Sequence, residues 1–577
     1  MTRPVPPALV HGRRLPNTWD VAAMALVFAL LIGVAHVAQG TMAPLARMKS
    51  GQIHLNPTWL PGYALRTTLR MFAALLVSLG FTFTVATLAA KSRRAAIIII
   101  PILDILQSIP ILGFISFTVL FFLHLFPGQE LGAELAVVFV IFTSQAWNMA
   151  FSFYQSLTTE PADLVEACRS FGLTPWQRFW RLDVPFAVPG LVWNTMLSMS
   201  GGWFFVVASE AITVGHTTFT LPGIGSYVAV ALQHRDFAAI VYALLAMLVV
   251  ILLYDQLLFR PLVAWSGKFR FETVPSAGET EPWVLRLLRR TFLLRAAGDW
   301  LSDQFAHVVR LRLGRADRKF GSAGLDRATG RIGDAAFYAV VIIAAGAAAA
   351  QVVEFCARTM YWSDLAQCVV LAFYTLARVI AALVISCVIW VPVGVWVGFR
   401  PWATRLVQPA AQFLAAFPAN LVFPVVVAGI VHFRLAPNIW LTPLMILGTQ
   451  WYVLFNVVAG AAALPGDLKE AASNFRLSGL LWWRRLIIPG ILPYFVTGAL
   501  TATGAAWNAS IVAEVASWGH TTLVARGLGA YIAQATMAGN TSRIVLGVAV
   551  MAAFVLGFNR LVWRPLYAYA SRRTNFG

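Results

Sequence analysis

The sequence predicts an all-α polytopic membrane protein, with about twelve transmembrane helices in two parallel, pseudo-symmetric halves of six. Three observations predict it: an apolar composition, apolar runs of membrane-spanning length, and a long internal repeat. Of 577 residues, 59% are hydrophobic and 12% charged, about half the roughly 25% charge of a soluble domain. Runs near the ~20 residues that cross ~30 Å of hydrocarbon fall at 21–39, 70–90, 96–123, 134–157, 184–209 and 237–260. A second set falls at 335–353, 369–398, 406–431, 438–462, 489–513 and 542–564. Several contain Gly or Pro, which membrane helices tolerate when neighbouring helices satisfy the freed backbone groups.

The repeat relates these sets. Asp163-Leu-Val-Glu-Ala-Cys-Arg-Ser-Phe-Gly172 returns 304 residues later as Asp467-Leu-Lys-Glu-Ala-Ala-Ser-Asn-Phe-Arg476. Arg181, Pro185, Pro189, Trp203 and Glu210 return at the same spacing as Arg485, Pro489, Pro493, Trp507 and Glu514. Gly215-His-Thr-Thr218 returns as Gly519-His-Thr-Thr522, then Gly223, Gly225 and Tyr227 as Gly527, Gly529 and Tyr531. Two copies make a duplication, not a solenoid.

The formal net charge of +19 reports topology, not nucleic acid. Basic residues cluster at alternate span ends: Arg3, Arg13 and Arg14, then Lys91, Arg93 and Arg94, then Arg169, Arg178 and Arg181, then Arg260, Lys268 and Arg270. Arg400 and Arg405, Arg484 and Arg485, and Arg564, Arg572 and Arg573 continue the pattern. The positive-inside rule then places the N- and C-termini in the cytoplasm, and anionic lipid is the expected partner of these charges. The first span lacks a small-residue cleavage site, which reads as an anchor and not a removed signal peptide. Cys168, Cys356, Cys368 and Cys387 show no metal spacing. Cys356 and Cys368 fall where a disulfide is chemically permitted, with buried thiols as the alternative.

Residues 1–260 and 335–577 are the two halves, joined by a polar stretch at 261–334. That stretch holds thirteen Lys or Arg and eight Asp or Glu. Trp283-Val-Leu-Arg-Leu-Leu-Arg-Arg-Thr-Phe-Leu-Leu-Arg295 places apolar and basic residues at helical spacing, as a helix lying on the membrane interface does. A linker that keeps both halves inserted in one direction is compatible with this. The halves are then parallel repeats about an axis along the membrane normal.

The loops at 158–183 and 463–487 are too long to be mere turns. In the first, Thr158, Thr159, Glu160, Pro161, Asp163 and Glu166 are helix-start signals, with acids at the positive helix end. Phe171-Gly172-Leu173-Thr174-Pro175 breaks that helix, and a second short helix follows. A broken helix on the cytoplasmic face is a surface for a partner.

Polar residues inside spans are candidate pathway groups, since they usually face a bundle interior. These are Gln107, Ser108, Gln145, Trp147 and Asn148, then Gln412, Asn420, Gln450, Asn456 and Asn508. Interhelical hydrogen bonding is the competing role for each. Gln145 and Gln450 rank highest, because each precedes a Trp in equivalent spans. Glu210 and Glu514 would repel an anion, so they are expected to pin an outer turn. The nearest expected partners are Thr217-Thr218 and Thr521-Thr522 or the His216 and His520 imidazoles. Those histidines lack other ligands at metal spacing and read as structural. Gly223, Gly225 and Tyr227 read as a tight turn and a short helix; a dinucleotide fingerprint needs a soluble strand-turn-helix unit.

Glu166-Ala167-Cys168, Gly172 and Val184-Pro185 resemble the EAA loop of binding-protein-dependent ABC importer permeases. The second copy reads Glu470-Ala471-Ala472 and Ile488-Pro489, with Arg476 where that family has Gly. The context is similar to the nitrate/sulfonate/taurine and bicarbonate branch, including the equal proline spacing of Pro101 to Pro110 and Pro409 to Pro418. The resemblance covers about 60–265 and 365–567. It implies the type I ABC importer permease fold, with two permease domains in one chain of the bacterial inner membrane. It also implies that Asp163, Glu166, Ala167, Gly172, Asp467, Glu470, Ala471 and Arg476 couple to two copies of a cytoplasmic ATPase. A periplasmic or lipid-anchored substrate-binding protein is a further implied partner, and the solute is a small anion. The chain has no G-x-x-x-x-G-K-[S/T] phosphate loop, so ATP and magnesium are expected on the partner subunits only. Arg476 raises the question whether the second loop bends as the first does. Without the resemblance, an ion-gradient-driven secondary transporter fits the parallel repeats but does not need the paired loops. A membrane scaffold would not need the duplicated polar groups.

Overall fold

The computed structural model describes residues 53–313 and 362–570, apart from 109–110, 128, 215–216, 270–282, 465, 519–520 and 567–568, with isolated residues between 338 and 354. The expected spans at 21–39 and, for the most part, 335–353 lie outside these residues, as do His216 and His520. Among the described residues eight helices are long and apolar enough to cross a membrane.

In the first half the helices are α1 (Leu60–Phe81), α2 (Arg93–Ser108), α3 (Ile115–Leu125), α4 (Glu130–Thr158), α5 (Ala162–Ser170), α6 (Pro175–Arg178), α7 (Val184–Glu210), α8 (Ile224–Gln233) and α9 (Phe237–Tyr254). The linker contributes α10 (Trp283–Arg290) and α11 (Phe292–Arg310). The second half repeats the order as α12 (Trp362–Gly398), α13 (Pro401–Ala416), α14 (Phe423–His432), α15 (Thr442–Ala462), α16 (Gly466–Asn474), α17 (Gly479–Trp482), α18 (Ile488–Ala513), α19 (Leu528–Met537) and α20 (Thr541–Phe558). Even irregularities repeat. Wide π-turns at Phe179–Asp183 and Asp255–Phe259 return at Trp483–Ile487 and Asn559–Trp563.

Two expected spans need correction. The run at 96–123 is interrupted by a 3-10 turn, Ile111–Phe114, and the run at 406–431 bends by 70° between Ala416 and Ala419. Pro418 explains the second break, because proline drives the preceding residue out of the helical region. Phe417 is accordingly extended, at φ −71° and ψ 125°.

The strictly α-helical expectation also misses two hairpins. β1 (Ala211–Val214) pairs antiparallel with β2 (Thr217–Thr220), Ala211 opposite Thr220. β3 (Val515–Trp518) pairs with β4 (Thr521–Val524), Val515 opposite Val524. Each leads into the expected short helix, α8 after Gly223 and α19 after Gly527.

Small residues allow close helix packing, as is general in membranes. Gly394 and Gly398 of α12, four apart, lie against Val457 and Val458 of α15, and Gly498 of α18 lies against Asn456. One apolar core draws on both halves, with Ile111, Leu112 and Val119 beside Trp507, Leu528 and Met551. The chain forms two compact units. The smaller holds Thr159–Val192 and the described part of Leu253–Phe320; the larger holds most of the apolar helices and the second loop. Cys368 is a buried free thiol, and Cys356 lies outside the described residues.

Candidate functional site

Three features repeat across the halves: a buried carboxylate behind each hairpin, the walls of a cavity, and a broken-helix loop.

Glu210 ends α7 fully buried. Its Oε1 accepts from the Thr67 hydroxyl and Arg70 Nη1, both at 2.7 Å, and its Oε2 accepts from the Gly225 amide at 2.7 Å. The acid thus sits at the N-terminus of α8, where the helix dipole favours negative charge. Arg70 also grips Glu134 bidentately through Nε and Nη2, at 2.6 Å each. Glu514 repeats the design with the Thr375 hydroxyl and Arg378 Nη1 at 2.8 Å and the Ala530 amide at 3.0 Å. Here Arg378 meets the Asn438 side chain at 3.4 Å in place of a second carboxylate. Among the described residues, arginines of α1 and α12, which the expectation did not name, hold these acids; Thr521 and Thr522 are not among the partners found for Glu514, and the side chains of Thr217, Thr218, His216 and His520 lie outside the described residues. The sequence reading missed both arginines. The twin glycines gain a reason, since a Cβ on Gly223 or Gly527 would overlap the buried carboxylate itself.

A cavity of about 280 Å³ lies between helices of the two halves within the larger unit. Trp147 and Trp451 line it from equivalent positions of α4 and α15, with Asn148, Tyr452, Asn508 and Trp563. Among the described residues no Asp, Glu, Lys, Arg or His faces it. The Trp147 and Trp563 indole N–H groups have no hydrogen-bond partner among the described residues. Of the sequence candidates, Gln107, Trp147, Asn148 and Asn508 line the cavity. The Gln107 amide donates to Asn148 at 3.5 Å, and Asn508 Oδ1 accepts the Ile111 amide at 2.7 Å. Gln145 and Gln450, ranked first, do not line it. Gln145 Oε1 accepts from Ser78 at 3.3 Å, and Gln450 Oε1 accepts the Trp390 indole N–H at 2.9 Å. These are interhelical bonds. Asn420 donates to the Phe204 carbonyl, Asn456 donates to the Tyr452 carbonyl, and Gln412 is half-buried away from the cavity. The Ser108 side chain lies outside the described residues. Tyr452 and Trp563 were missed, although Trp451 repeats Trp147 at the 304-residue spacing.

In the first loop, α5 exposes Asp163, Glu166 and Ala167 and ends at Gly172, whose φ is +62°. Thr174 and Gln177 then form a reciprocal capping box for α6. In the second, α16 exposes Asp467 and Glu470, with Ala471 half-buried, and Arg476 takes φ +47°. The second loop therefore bends as the first does, and Arg476 carries the left-handed strain that glycine avoids. Replacing Arg476 by Gly is expected to stabilise the second loop by about 1 kcal/mol, and Gly172→Arg to cost the first about as much. Hydrogen exchange of the two loops checks this; unchanged protection in both variants would remove the strain argument.

Beneath the tips the copies diverge. Arg178 Nη2 meets Glu160 at 2.8 Å and its Nε meets Asp183 at 3.2 Å. Burial, with the Asp183 carboxylate beside it, pushes the Glu160 carboxyl up against the pull of Arg178. The equivalent positions hold Leu464, Trp482 and Ile487, packed in one apolar cluster. Trp176 and Gln177 of the first loop also donate to α11, through the indole N–H to the Val308 carbonyl at 2.9 Å and the side-chain amide to the Arg310 carbonyl at 3.2 Å.

Comparison with known proteins gives a consistent picture. The family described as the binding-protein-dependent transport system inner membrane component matches residues 82–259 and again 390–574. The bicarbonate transport system permease protein CmpB of Synechococcus elongatus is 26% identical over 205 residues, 36% of this chain and 68% of that protein. The nitrate import permease protein NrtB of Leptolyngbya laminosa is 24% identical over 188 residues, 33% and 64% of the two chains. The glycine betaine/proline betaine transport system permease protein ProW of Escherichia coli is 28% identical over 205 residues, 35% and 53%.

Proposed function

The chain belongs to the family of binding-protein-dependent transport system inner membrane components, and from that premise we propose that its central cavity carries a small oxyanion. It is a multi-pass permease subunit of an ABC importer with two permease domains in one polypeptide. The ion-gradient-driven alternative is not favoured by that family. The solute class of the relatives, bicarbonate and nitrate among them, supports the anion reading.

One observation carries the proposal. Among the described residues the cavity wall holds neutral hydrogen-bond groups and no carboxylate to repel an anion, and the Trp147 and Trp563 indole N–H groups lie buried within that wall without a partner. An indole N–H donates and cannot accept, so an indole that turns toward the cavity offers its hydrogen bond to an acceptor-rich solute. Glu210 and Glu514 do not disturb this, because arginines neutralise them outside the cavity lining. A lining with no cation among the described residues favours release, as transport requires.

In this reading the loops at 158–183 and 463–487 face the cytoplasm, together with both termini and the linker at 261–334. Each loop docks one copy of a separate ATPase subunit, which holds the nucleotide and magnesium. A substrate-binding protein delivers the solute to the other face, where the hairpins and their pinned acids shape the outer gate.

The test is uptake by the reconstituted complex, compared for nitrate, bicarbonate, taurine and glycine betaine. Trp147→Phe removes one donor and keeps the ring, and is expected to weaken apparent anion affinity by about tenfold, the worth of ~1.4 kcal/mol. A quaternary-ammonium solute is the competitor, since the faces of Trp451 and Phe204 suit such a cation. Preferential uptake of glycine betaine, with Trp147→Phe neutral, would overturn the anion reading.

A further inference from the structure

The duplicated loops have equal tips and unequal flanks. Phe171 is 80% exposed and Phe475 is 79% exposed, each just before the left-handed residue that turns the chain. Beside the first tip, however, lies a helix that has no counterpart beside the second among the described residues. The last carbonyls of a helix lack an i+4 donor within it, and among the described residues Val308 of α11 accepts only the Leu311 amide, at 3.3 Å, from the backbone. Trp176 and Gln177 satisfy two such carbonyls, and the Phe305 ring meets Trp180 edge-on with centroids 4.9 Å apart. The first loop therefore caps the C-terminus of α11. At the equivalent positions the second loop has Leu480, Leu481 and Arg484. Two leucines cannot donate to carbonyls, and Leu480 is 83% exposed.

The outer side of α11 has no partner among the described residues and is chemically distinctive. Trp300 is 61% exposed, with exposed Asp299 and Asp303 beside it, and exposed Arg310, Leu311, Arg312 and Leu313 lie beyond, a full helical turn or more from the Trp. A membrane-interface helix presents basic residues to anionic headgroups, and Arg286 of the preceding α10 is an exposed base of that kind. Acids flanking an exposed Trp suit a protein surface with a basic rim and an apolar pocket. The loop helices ask for the same partner chemistry, since α5 exposes Asp163 and Glu166.

We propose that α11 and the first loop together form one enlarged docking surface for an ATPase subunit, so that the two ATPase sites on this chain are unequal. This rests on the reading of the loops as ATPase-docking elements. The linker is then part of the energy-coupling surface on one side only. The first ATPase copy binds by a loop tip and a helix, the second by a loop tip alone.

The full chain in lipid nanodiscs, titrated with the ABC ATPase subunit that co-purifies with it, tests this by native mass spectrometry. Two binding steps separated by about tenfold are expected, the size of one good interface anchor. Trp300→Ser should weaken the tighter step about five- to tenfold and leave the weaker one unchanged, whereas Phe475→Ser should weaken only the second. Two equal steps in the unaltered chain, or no effect of Trp300→Ser, would overturn the proposal. So would quenching by brominated lipid of a bimane label on Trp300→Cys that persists with ATPase bound, which assigns the face to the membrane. If Phe171→Ser and Phe475→Ser also leave both steps intact, the docking role of the loops falls as well. If those two weaken binding and Trp300→Ser does not, the helix contact alone is wrong.

Discussion

Replacing Arg70 with Met is expected to destabilise the protein by about 3–5 kcal/mol, the cost of leaving a buried charge without its partner. Among the described residues Arg70 is the one ion-pair partner of Glu210, and it clamps Glu134 with its other two nitrogens. Its loss strands two carboxylates behind the first hairpin. Arg378→Met strands one, because Asn438 replaces the second acid, and should cost less. Thermal unfolding in detergent measures both. The double variant Arg70→Met with Glu210→Gln should recover part of the loss, since a neutral amide needs no counter-charge. Glu210→Gln alone should weaken stability or gating without changing which solutes are carried. An altered solute preference at unchanged stability would instead put Glu210 in the binding site, and equal melting of Arg70→Met and the unaltered chain would dissolve the pinning argument.

The second large effect concerns coupling. Glu166→Lys with Glu470→Lys reverses an exposed charge on each loop helix, at positions no cavity wall or core cluster uses. Folding should be kept, because surface substitutions away from such features usually stay within ~0.5 kcal/mol. Affinity for the ATPase should fall by at least about tenfold, as like-charge juxtaposition at an interface costs on the order of 1.4 kcal/mol or more. Solute-stimulated ATP hydrolysis should then separate from uptake. Normal uptake by the double variant would remove both loops from the mechanism.

Much of this was legible in the sequence because a duplication shows its constraints twice. The loops, the paired short helices and the cavity tryptophan Trp147 all sit in segments that recur at one spacing. What escaped notice breaks that spacing or spans distance. Arg70 and Arg378 are 308 residues apart, not 304, and each meets its acid from about 140 residues away in sequence, so neither local pattern nor fixed-offset comparison finds them. The four-residue hairpin strands are too short to register against the apolar runs beside them. Arg476 misled in the other direction. Residue type argued for a different bend, but the surrounding loop holds an arginine where glycine would sit without strain.

The trio beneath each loop bears on the history of the gene. Glu160, Arg178 and Asp183 form an ionic set in one copy, and Leu464, Trp482 and Ile487 form an oily one in the other. Either set is self-consistent. A crossover between the copies that falls after position 160 and before 178 joins Glu160 to Trp482 and Ile487, burying an acid with no cation. The reciprocal product leaves Arg178 and Asp183 facing Leu464. Breaking a buried pair costs several kcal/mol, so such hybrids would be poorly folded and lost. Three side chains thus act as a barrier to gene conversion, and the two halves of the polypeptide are free to drift toward separate specialisations.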